Sequence, residues 1–119
     1  MENLVVKIGG DMKKDLEMVF ENPKKYGVPN THVLYLKDCE GLYRLLSPQR
    51  LELLRRLIKY QSEKKTVGEL ARELGRKQEA ISRDASFLAM HQMIKKIKKK
   101  REVYLKPMFK SLEIRFAGA

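Results

Sequence analysis

The stretch TVGELARELG at residues 66–75, followed by RKQEAISRDASFLAMHQ at residues 76–92, decides the fold of this chain. Thr66 and Glu69 have the spacing of a capping box, and Gly75 suits the left-handed end of a helix, so a short helix is predicted between them. The second stretch has apolar residues at helical spacing, which predicts a longer helix with a polar outer face. These apolar residues are Ile81, Ala85 and Leu88. Two helices joined by a glycine turn indicate a helix-turn-helix.

The preceding segment, SPQRLELLRRLIKYQ at residues 47–61, predicts another helix. Ser47 is a good N-cap, and Pro48 suits the first helical position. The predicted buried stripe of this helix consists of Leu51, Leu54, Leu57 and Ile58. Its charged face contains Arg50, Arg55 and Arg56. This face either contacts phosphate or is solvated.

The two ends of the chain predict strands. Residues 4–8 alternate in hydropathy before a Gly-Gly turn, and residues 32–36 are apolar on both faces, which predicts a short strand and a buried strand. A helical pattern separates them, and this order indicates a βαβ unit with parallel strands. Residues 112–116 also alternate, which predicts a further strand contributed by this chain or by a second one. A two-stranded sheet is not stable alone, so the appendage needs more strands or a partner.

Composition and charge reduce the number of function classes that fit the sequence. The chain has 119 residues, enough for one domain with a small appendage, and its hydrophobic fraction of 43% is typical of a folded protein. Residues 1–47 contain seven basic and seven acidic side chains, so the whole net charge of +11 lies in residues 48–119. This asymmetry indicates a polyanion-binding module, although a lysine-rich solvated surface is the alternative. The sequence shows neither a membrane span nor an export signal, so we expect a cytoplasmic protein.

Residues 48–106 resemble the winged helix-turn-helix of prokaryotic transcription regulators. The segments LSPQRLELLRRL, ELARELGR and SRD, in this order, are similar to a family of archaeal DNA-binding regulators. That family has an N-terminal extension like this one, so the resemblance extends to most of the chain. Three positions depart from the pattern. Ala85 replaces a usual leucine, Gln92 replaces the glycine that ends the recognition helix, and Arg76 replaces an apolar residue.

The resemblance implies that the second helix of the pair is a recognition helix, whose exposed N-terminal half faces base edges in the major groove. The candidates for base contact are Lys77, Gln78, Glu79, Ser82 and Arg83. Gln78 has the groups for a bidentate contact with adenine, and Arg83 or Lys77 for one with guanine. In the alternative, Arg83 pairs with Asp84 or Glu79. Asp84 itself is expected to be a structural partner.

The resemblance also implies a two-stranded wing, with strands at Met93–Lys98 and Glu102–Lys106 and with Lys99, Lys100 and Arg101 at or near its tip. We expect Ile97, Val103 and Leu105 to hold the wing on the domain and to leave its lysines free for phosphates. The tip lacks the glycine that a tight turn prefers, and a flexible basic loop is the alternative. Thr66 precedes helix amides that suit a phosphate. The predicted contacts to the DNA backbone are Arg50, Thr66, Arg76, Lys95, Lys96, Lys98, Lys99, Lys100 and Arg101.

The sequence gives little support for an enzyme. His32 and His91 lie in unrelated segments, and neither belongs to a cluster of metal ligands. Cys39 has no neighbouring base or second cysteine, so packing is the expected role of its side chain. We therefore expect no catalytic residue, metal site, cofactor or small-molecule ligand.

The predicted fold class is α+β, a winged helix-turn-helix domain preceded by a small βαβ extension. The extension comprises residues 1–46, the DNA-binding domain residues 47–107, and the C-terminal tail, with its possible extra strand, residues 108–119. The predicted function is a transcriptional regulator that binds double-stranded DNA as a homodimer, paired through the extension. Two alternatives remain open: a protein-interaction module for an acidic partner, and a non-specific, chromatin-like DNA binder.

Overall fold

The computed structural model describes residues 3–10, 12–21 and 31–116, and it divides the chain into two compact units. The winged-helix unit consists of residues 46–110, and the sheet unit consists of residues 1–45 together with 111–119. The predicted α+β fold class, with a βαβ extension ahead of a winged helix-turn-helix, is confirmed. In chain order the elements are β1 (Asn3–Ile8), α1 (Met12–Glu21), β2 (Thr31–Leu36), α2 (Cys39–Leu45), α3 (Pro48–Lys59), α4 (Val67–Leu74), α5 (Gln78–Met90), β3 (Ile94–Lys99), β4 (Glu102–Pro107) and β5 (Ser111–Phe116).

The sheet unit has three parallel strands in the order β2-β1-β5. In the central strand β1, Leu4, Val6 and Ile8 on one face and Val5 on the other are each at most 5% exposed. The prediction of a buried strand at residues 32–36 is wrong: β2 lies at an edge of the sheet, its apolar side chains are half-buried, and His32 is exposed. The third strand comes from the C-terminal segment of the same chain.

Helix α3 begins as the sequence predicts. The Ser47 side chain accepts a hydrogen bond from the backbone N–H of Arg50 at 3.3 Å, and Pro48 occupies the first turn. The predicted buried stripe is only partly correct, because Leu51 is 36% exposed and Leu53 is fully buried in its place. The inward face of α3 therefore includes two adjacent leucines, Leu53 and Leu54, rather than a strict helical repeat.

The helix-turn-helix consists of α4 and α5. The predicted capping box is present: Thr66 accepts from the Glu69 backbone at 3.1 Å, and the Glu69 carboxylate accepts from the Thr66 N–H at 3.2 Å. Gly75 has a φ of 65°, in the left-handed region that it was predicted to adopt. After this turn the Arg76 N–H donates to the Ala71 carbonyl at 2.9 Å, which closes a Schellman motif. The buried residues that join the two helices are Val67, Leu70, Ala71, Ile81, Ala85 and Leu88.

Helix α5 ends in the same motif without a glycine. Gln92 has a φ of 59°, and its N–H donates to the Ala89 carbonyl at 3.0 Å. The next N–H, from Met93, donates to the Leu88 carbonyl at 2.9 Å. Met93 and Leu88 are both almost fully buried, which supplies the apolar contact that accompanies this motif. Gln92 therefore adopts the left-handed conformation that the resemblance led us to expect of a glycine.

Strands β3 and β4 form the antiparallel wing, with Lys100 and Arg101 as its two-residue loop. Lys100 has a φ of 58°, so a residue with a side chain occupies a position that favours glycine. The prediction that Ile97 holds the wing on the domain is wrong, since this side chain is 40% exposed. It pairs across the wing with Tyr104 on the outer face. The prediction for Leu105 is correct, since this side chain is 4% exposed, and Ile94, which is 3% exposed, takes the place of Ile97. Val103, the third predicted anchor, is half-buried.

Candidate nucleic-acid interface

The first half of α5 presents all the candidates for base contact on its exposed side. Lys77, Gln78, Glu79 and Arg83 are exposed and Ser82 is half-buried. Ile81, Ala85 and Leu88 fix the opposite side of the helix in the core. The exposed residues face two different grooves, one on each side of the helix, and helical spacing places Glu79 between them.

The first groove lies between the start of α3 and the first half of α5. Its lining residues are Gln49, Arg50, Arg76, Lys77, Ala80, Arg83, Asp84 and Phe87. Asp84, only 8% exposed, accepts a hydrogen bond from Arg76 Nη2 at 2.6 Å and lies 3.7 Å from Arg50 Nη1. The Arg50 guanidinium also lies 4.1 Å from the centroid of the Phe87 ring. Arg50 thus links α3 to α5, and Arg76 links the turn before α5 to the same carboxylate.

The ion pairs of Asp84 help to decide the role of Arg83, which was predicted either to contact a base or to pair with Asp84 or Glu79. The carboxylate of Asp84 pairs with Arg76 and Arg50. Among the described residues, Arg83 has no ion-pair partner, and its side chain is exposed beside the groove. The structure therefore leaves the Arg83 guanidinium available to an external anion or base.

The second groove lies between the start of α4, the other side of α5 and the wing. Its lining residues are Thr66, Val67, Gly68, Arg72, Gln78, Ser82, Lys96, Arg101, Glu102 and Val103. Hydrogen bonds from the backbone N–H and the hydroxyl of Thr66 hold the pKa of Glu69 below its usual value. The Glu69 carboxylate therefore stays ionised and keeps its hydrogen bonds in the capping box. The first backbone N–H groups of a helix have no acceptor within the helix. At the start of α4 they lie beside this groove, which is also lined by Arg72, Lys96 and Arg101.

The wing places cations on both of its faces. The predicted phosphate contacts Lys95, Lys96, Lys98, Lys99, Lys100 and Arg101 are all exposed. Strand register puts Lys96 and Lys98 opposite Leu105 and Val103, on the face directed at the domain. There Lys96 Nζ donates to the Ser86 hydroxyl at 2.8 Å, which ties β3 to α5.

The arginines of α3 do not form one uniform face. Arg56 is a structural residue: its side chain is 11% exposed and donates to Glu73 at 2.5 and 3.0 Å and to Glu63 at 3.0 Å. The hydrogen bonds with Glu73 raise the pKa of Arg56 and lower the pKa of Glu73. Arg55 is 71% exposed and lies 3.6 Å from Glu52, as expected for a solvated residue. Only Arg50 of this set lines a groove beside α5.

Sequence reasoning missed Arg72, which lines the second groove. The signal was available, because Gly68 and Arg72 are four residues apart in α4 and therefore lie on one face of the helix. Gly68 also adjoins the recognition helix: a Cβ added there would lie 3.6 Å from Gln78 Oε1. Arg72 thus lines the second groove together with Thr66 and Gln78.

The described residues offer little for other kinds of site. None of their helices is long and apolar enough to cross a membrane. Within the same part of the chain, no group of three His, Cys, Asp or Glu side chains is placed to hold a metal ion.

The helix pair, the paired strands behind it and the basic grooves define a winged helix-turn-helix. A protein-family model described as HVO_A0114 matches residues 45–116, which is more than half of the chain. The chain belongs to the HVO_A0114 family.

Several solved structures are similar to the chain. NolR from Sinorhizobium fredii has 27% sequence identity, covering 59% of this chain and 68% of that one, with a TM-score of 0.49. HlyU from Vibrio vulnificus CMCP6, described as a transcriptional regulator, has 20% identity, covering 78% and 81%, with a TM-score of 0.47. Reduced HlyU from Vibrio cholerae N16961 has 22% identity, covering 56% and 67%, with a TM-score of 0.46. No curated protein matches the chain.

Proposed function

We propose that the protein is a sequence-specific transcriptional regulator of archaeal type that binds double-stranded DNA as a homodimer. The observation that supports this most strongly is the exposed start of α5, where Lys77 and Arg83 line one cation-bearing groove and Gln78 lines the other. The proposed role is not enzymatic and requires no metal, cofactor or small-molecule ligand. A regulator that binds genomic DNA in a prokaryotic cell acts in the cytoplasm.

In the proposed complex α5 lies in the major groove. In the major groove a guanine presents two acceptors, O6 and N7, to which Arg83 or Lys77 can donate. The side-chain amide of Gln78 can make a bidentate contact with adenine. Ser82 and Glu79 complete the set of base-contacting residues, Ser82 as a donor or acceptor and Glu79 as an acceptor from cytosine. Each good bidentate contact discriminates against the wrong base by about 1–3 kcal/mol.

The DNA backbone is contacted by the proposed phosphate clamps. These are Thr66 with the amides that follow it, the outer edges of Arg50 and Arg76, and the wing residues Lys95, Lys96, Lys98, Lys99, Lys100 and Arg101. Since Arg50 and Arg76 already pair with Asp84, their contribution to phosphate binding is smaller than that of the wing. With about six phosphates engaged, log K should fall against log salt concentration with a slope near −5.

The sheet unit is proposed to pair the subunits. Residues 1–47 have no net charge, so two copies meet without the repulsion that the basic winged-helix units would generate. Pairing two recognition helices on one duplex places the half-sites about one helical turn apart, roughly 34 Å. Removal of the pairing would leave single half-site binding, with an affinity lower by about 100-fold or more.

The test is selection of bound duplexes from a random pool, followed by footprinting on the selected sequence. A single protected region with two related half-sites is the result expected of a regulator. Uniform protection along any duplex would identify a non-specific, chromatin-like binder. Absence of protection at low salt would overturn DNA binding and favour a module for an acidic protein partner.

A further inference from the structure

The C-terminal strand β5 is an edge strand. It pairs with β1 on one side, and no other strand among the described residues lies along its outer side. The outward backbone N–H and C=O groups of such a strand are a template for another strand. Natural proteins usually protect such an edge with a proline, a bulge or charged side chains, especially lysines. Strand β5, SLEIRF, has no proline and no lysine, and its two charged residues, Glu113 and Arg115, have opposite signs.

The apolar face of the sheet continues onto β5 and becomes exposed there. The register with β1 places Leu112, Ile114 and Phe116 beside Leu4, Val6 and Ile8. The β1 side chains are at most 5% exposed, whereas Ile114 is 39% and Phe116 is 71% exposed. One more strand beside β5 would bury the outer flank of these side chains against its own side chains on the same face.

We propose that β5 pairs antiparallel with β5 of a second copy, centred on Ile114, so that the two sheets form one six-stranded sheet. This inference specifies the contact through which the proposed regulator dimerises, and to that extent it rests on the proposed function. In this register Glu113 faces Arg115 of the second copy, and the reciprocal pair forms symmetrically. Leu112 faces Phe116 of the second copy, and Ile114 faces its own counterpart. The strand is thus complementary to itself.

Other registers lose this complementarity. A centre on Glu113 or on Arg115 places two like charges directly opposite each other, which is unfavourable. A shift by one residue turns the charged side chains to the face where the second copy has apolar ones. Within a single chain, Glu113 and Arg115 already attract each other, with nitrogen-to-oxygen distances of 2.9 and 3.2 Å. Their side chains are 54% and 55% exposed, so both remain accessible to a second strand.

Charge reversal tests the pairing in solution. Glu113→Arg and Arg115→Glu each place like charges opposite one another at two points, and each should weaken the dimer by roughly 10-fold or more. The exchange of both residues in one chain should restore it. An equimolar mixture of the two single variants should form the mixed dimer. Glu40→Arg, an equal change of charge at an exposed position of α2, is the control and should dimerise as the wild type does.

Cysteine cross-linking tests the register. In a Cys39→Ser background, Ile114→Cys places two thiols directly opposite each other, at a Cα separation of about 4.5–5.5 Å that a disulfide spans. Glu113→Cys places the two thiols diagonally, beyond that range, so its cross-linking should be at least 10-fold slower. Equal cross-linking by both variants would overturn the proposed register.

The dimer measurement uses sedimentation equilibrium of the full chain. A monomeric wild type at tens of micromolar, or single variants that dimerise as the wild type does, would overturn the proposal. The DNA measurement is separate, because a duplex with one half-site should bind the wild type and Glu113→Arg equally. If the dimer responds as expected but no duplex binds, the proposed function fails while the strand pairing stands.

Discussion

Removal of the Asp84 carboxylate should destabilise the winged-helix unit more than any exposed charge of α5 does. Asp84 is 8% exposed and neutralises two arginines whose side chains are only 19% and 21% exposed. In Asp84→Ala both guanidinium groups lose their partner, and Arg76 Nη1 is already buried without a hydrogen bond among the described residues. The variant therefore leaves positive charge in a region with little access to water.

The loss of unfolding free energy in Asp84→Ala can be estimated from these contacts. A hydrogen bond between charged groups contributes about 1.5–3 kcal/mol, and breaking a fully buried ion pair costs about 3–5 kcal/mol. Since the arginines retain some exposure, we expect Asp84→Ala to lower the free energy of unfolding by about 2–3 kcal/mol. For a unit of this size the melting temperature should fall by about 10–20 °C. Asp84→Asn keeps an acceptor for Arg76 and should lose about 1 kcal/mol less.

Urea denaturation followed by circular dichroism measures these differences. Glu79→Ala is the matched control, since Glu79 is an exposed acid on the same helix, and its effect should stay within about 0.5 kcal/mol of the wild type. If Asp84→Ala and Glu79→Ala shift the midpoint equally, Asp84 does not hold α3 to α5. The assignment of Arg76 and Arg50 as structural partners would then be wrong.

Three further variants test other parts of the winged-helix unit. Gln92→Gly relieves the left-handed backbone at the end of α5 and should raise the free energy of unfolding in urea by about 0.5–1 kcal/mol; a loss would contradict the assigned conformation. Ala85→Leu adds volume at a fully buried position and should lower the melting temperature, with a cost of about 1–3 kcal/mol. The folded-state pKa of Glu73 is depressed by Arg56, so its contribution to stability is present above the usual pKa and is lost as pH falls through the folded value. In Glu73→Gln, stability measured between pH 6 and pH 3 should therefore fall less steeply than in the wild type.

Local chemistry made much of the fold predictable. Thr66, Glu69 and Gly75 define α4 through interactions within ten residues of sequence, and the structure shows the same contacts. Ser47 and Pro48 begin α3 in the same way. The exposed half of α5 also follows from helical spacing. The part of the site that depends on one helix at a time was therefore accessible from sequence.

Long-range pairing was not accessible in the same way. Residues 4–8 alternate as a half-buried strand does, yet β1 is the central strand, because β5 joins it from the other end of the chain. The same topology leaves β2 at an edge despite its apolar sequence. In the wing, strand register turns Ile97 outward and Lys96 inward. Spacing along the chain does not determine which partner a strand or a charge meets across the fold.

In the proposed complex, α5 reads bases while the wing holds the DNA backbone. This division of roles is tested most directly by the ratio of affinities for the selected duplex and for a scrambled duplex of equal length and composition. Arg83→Ala should lower this ratio by about 5- to 150-fold, as expected for the loss of about 1–3 kcal/mol of discrimination. The triple variant with alanine at Lys98, Lys99 and Lys100 should weaken both affinities and leave the ratio unchanged, and Arg55→Ala should change neither. An unchanged affinity ratio in Arg83→Ala would contradict the account. So would an equal change of the ratio in Arg83→Ala and in the triple lysine variant.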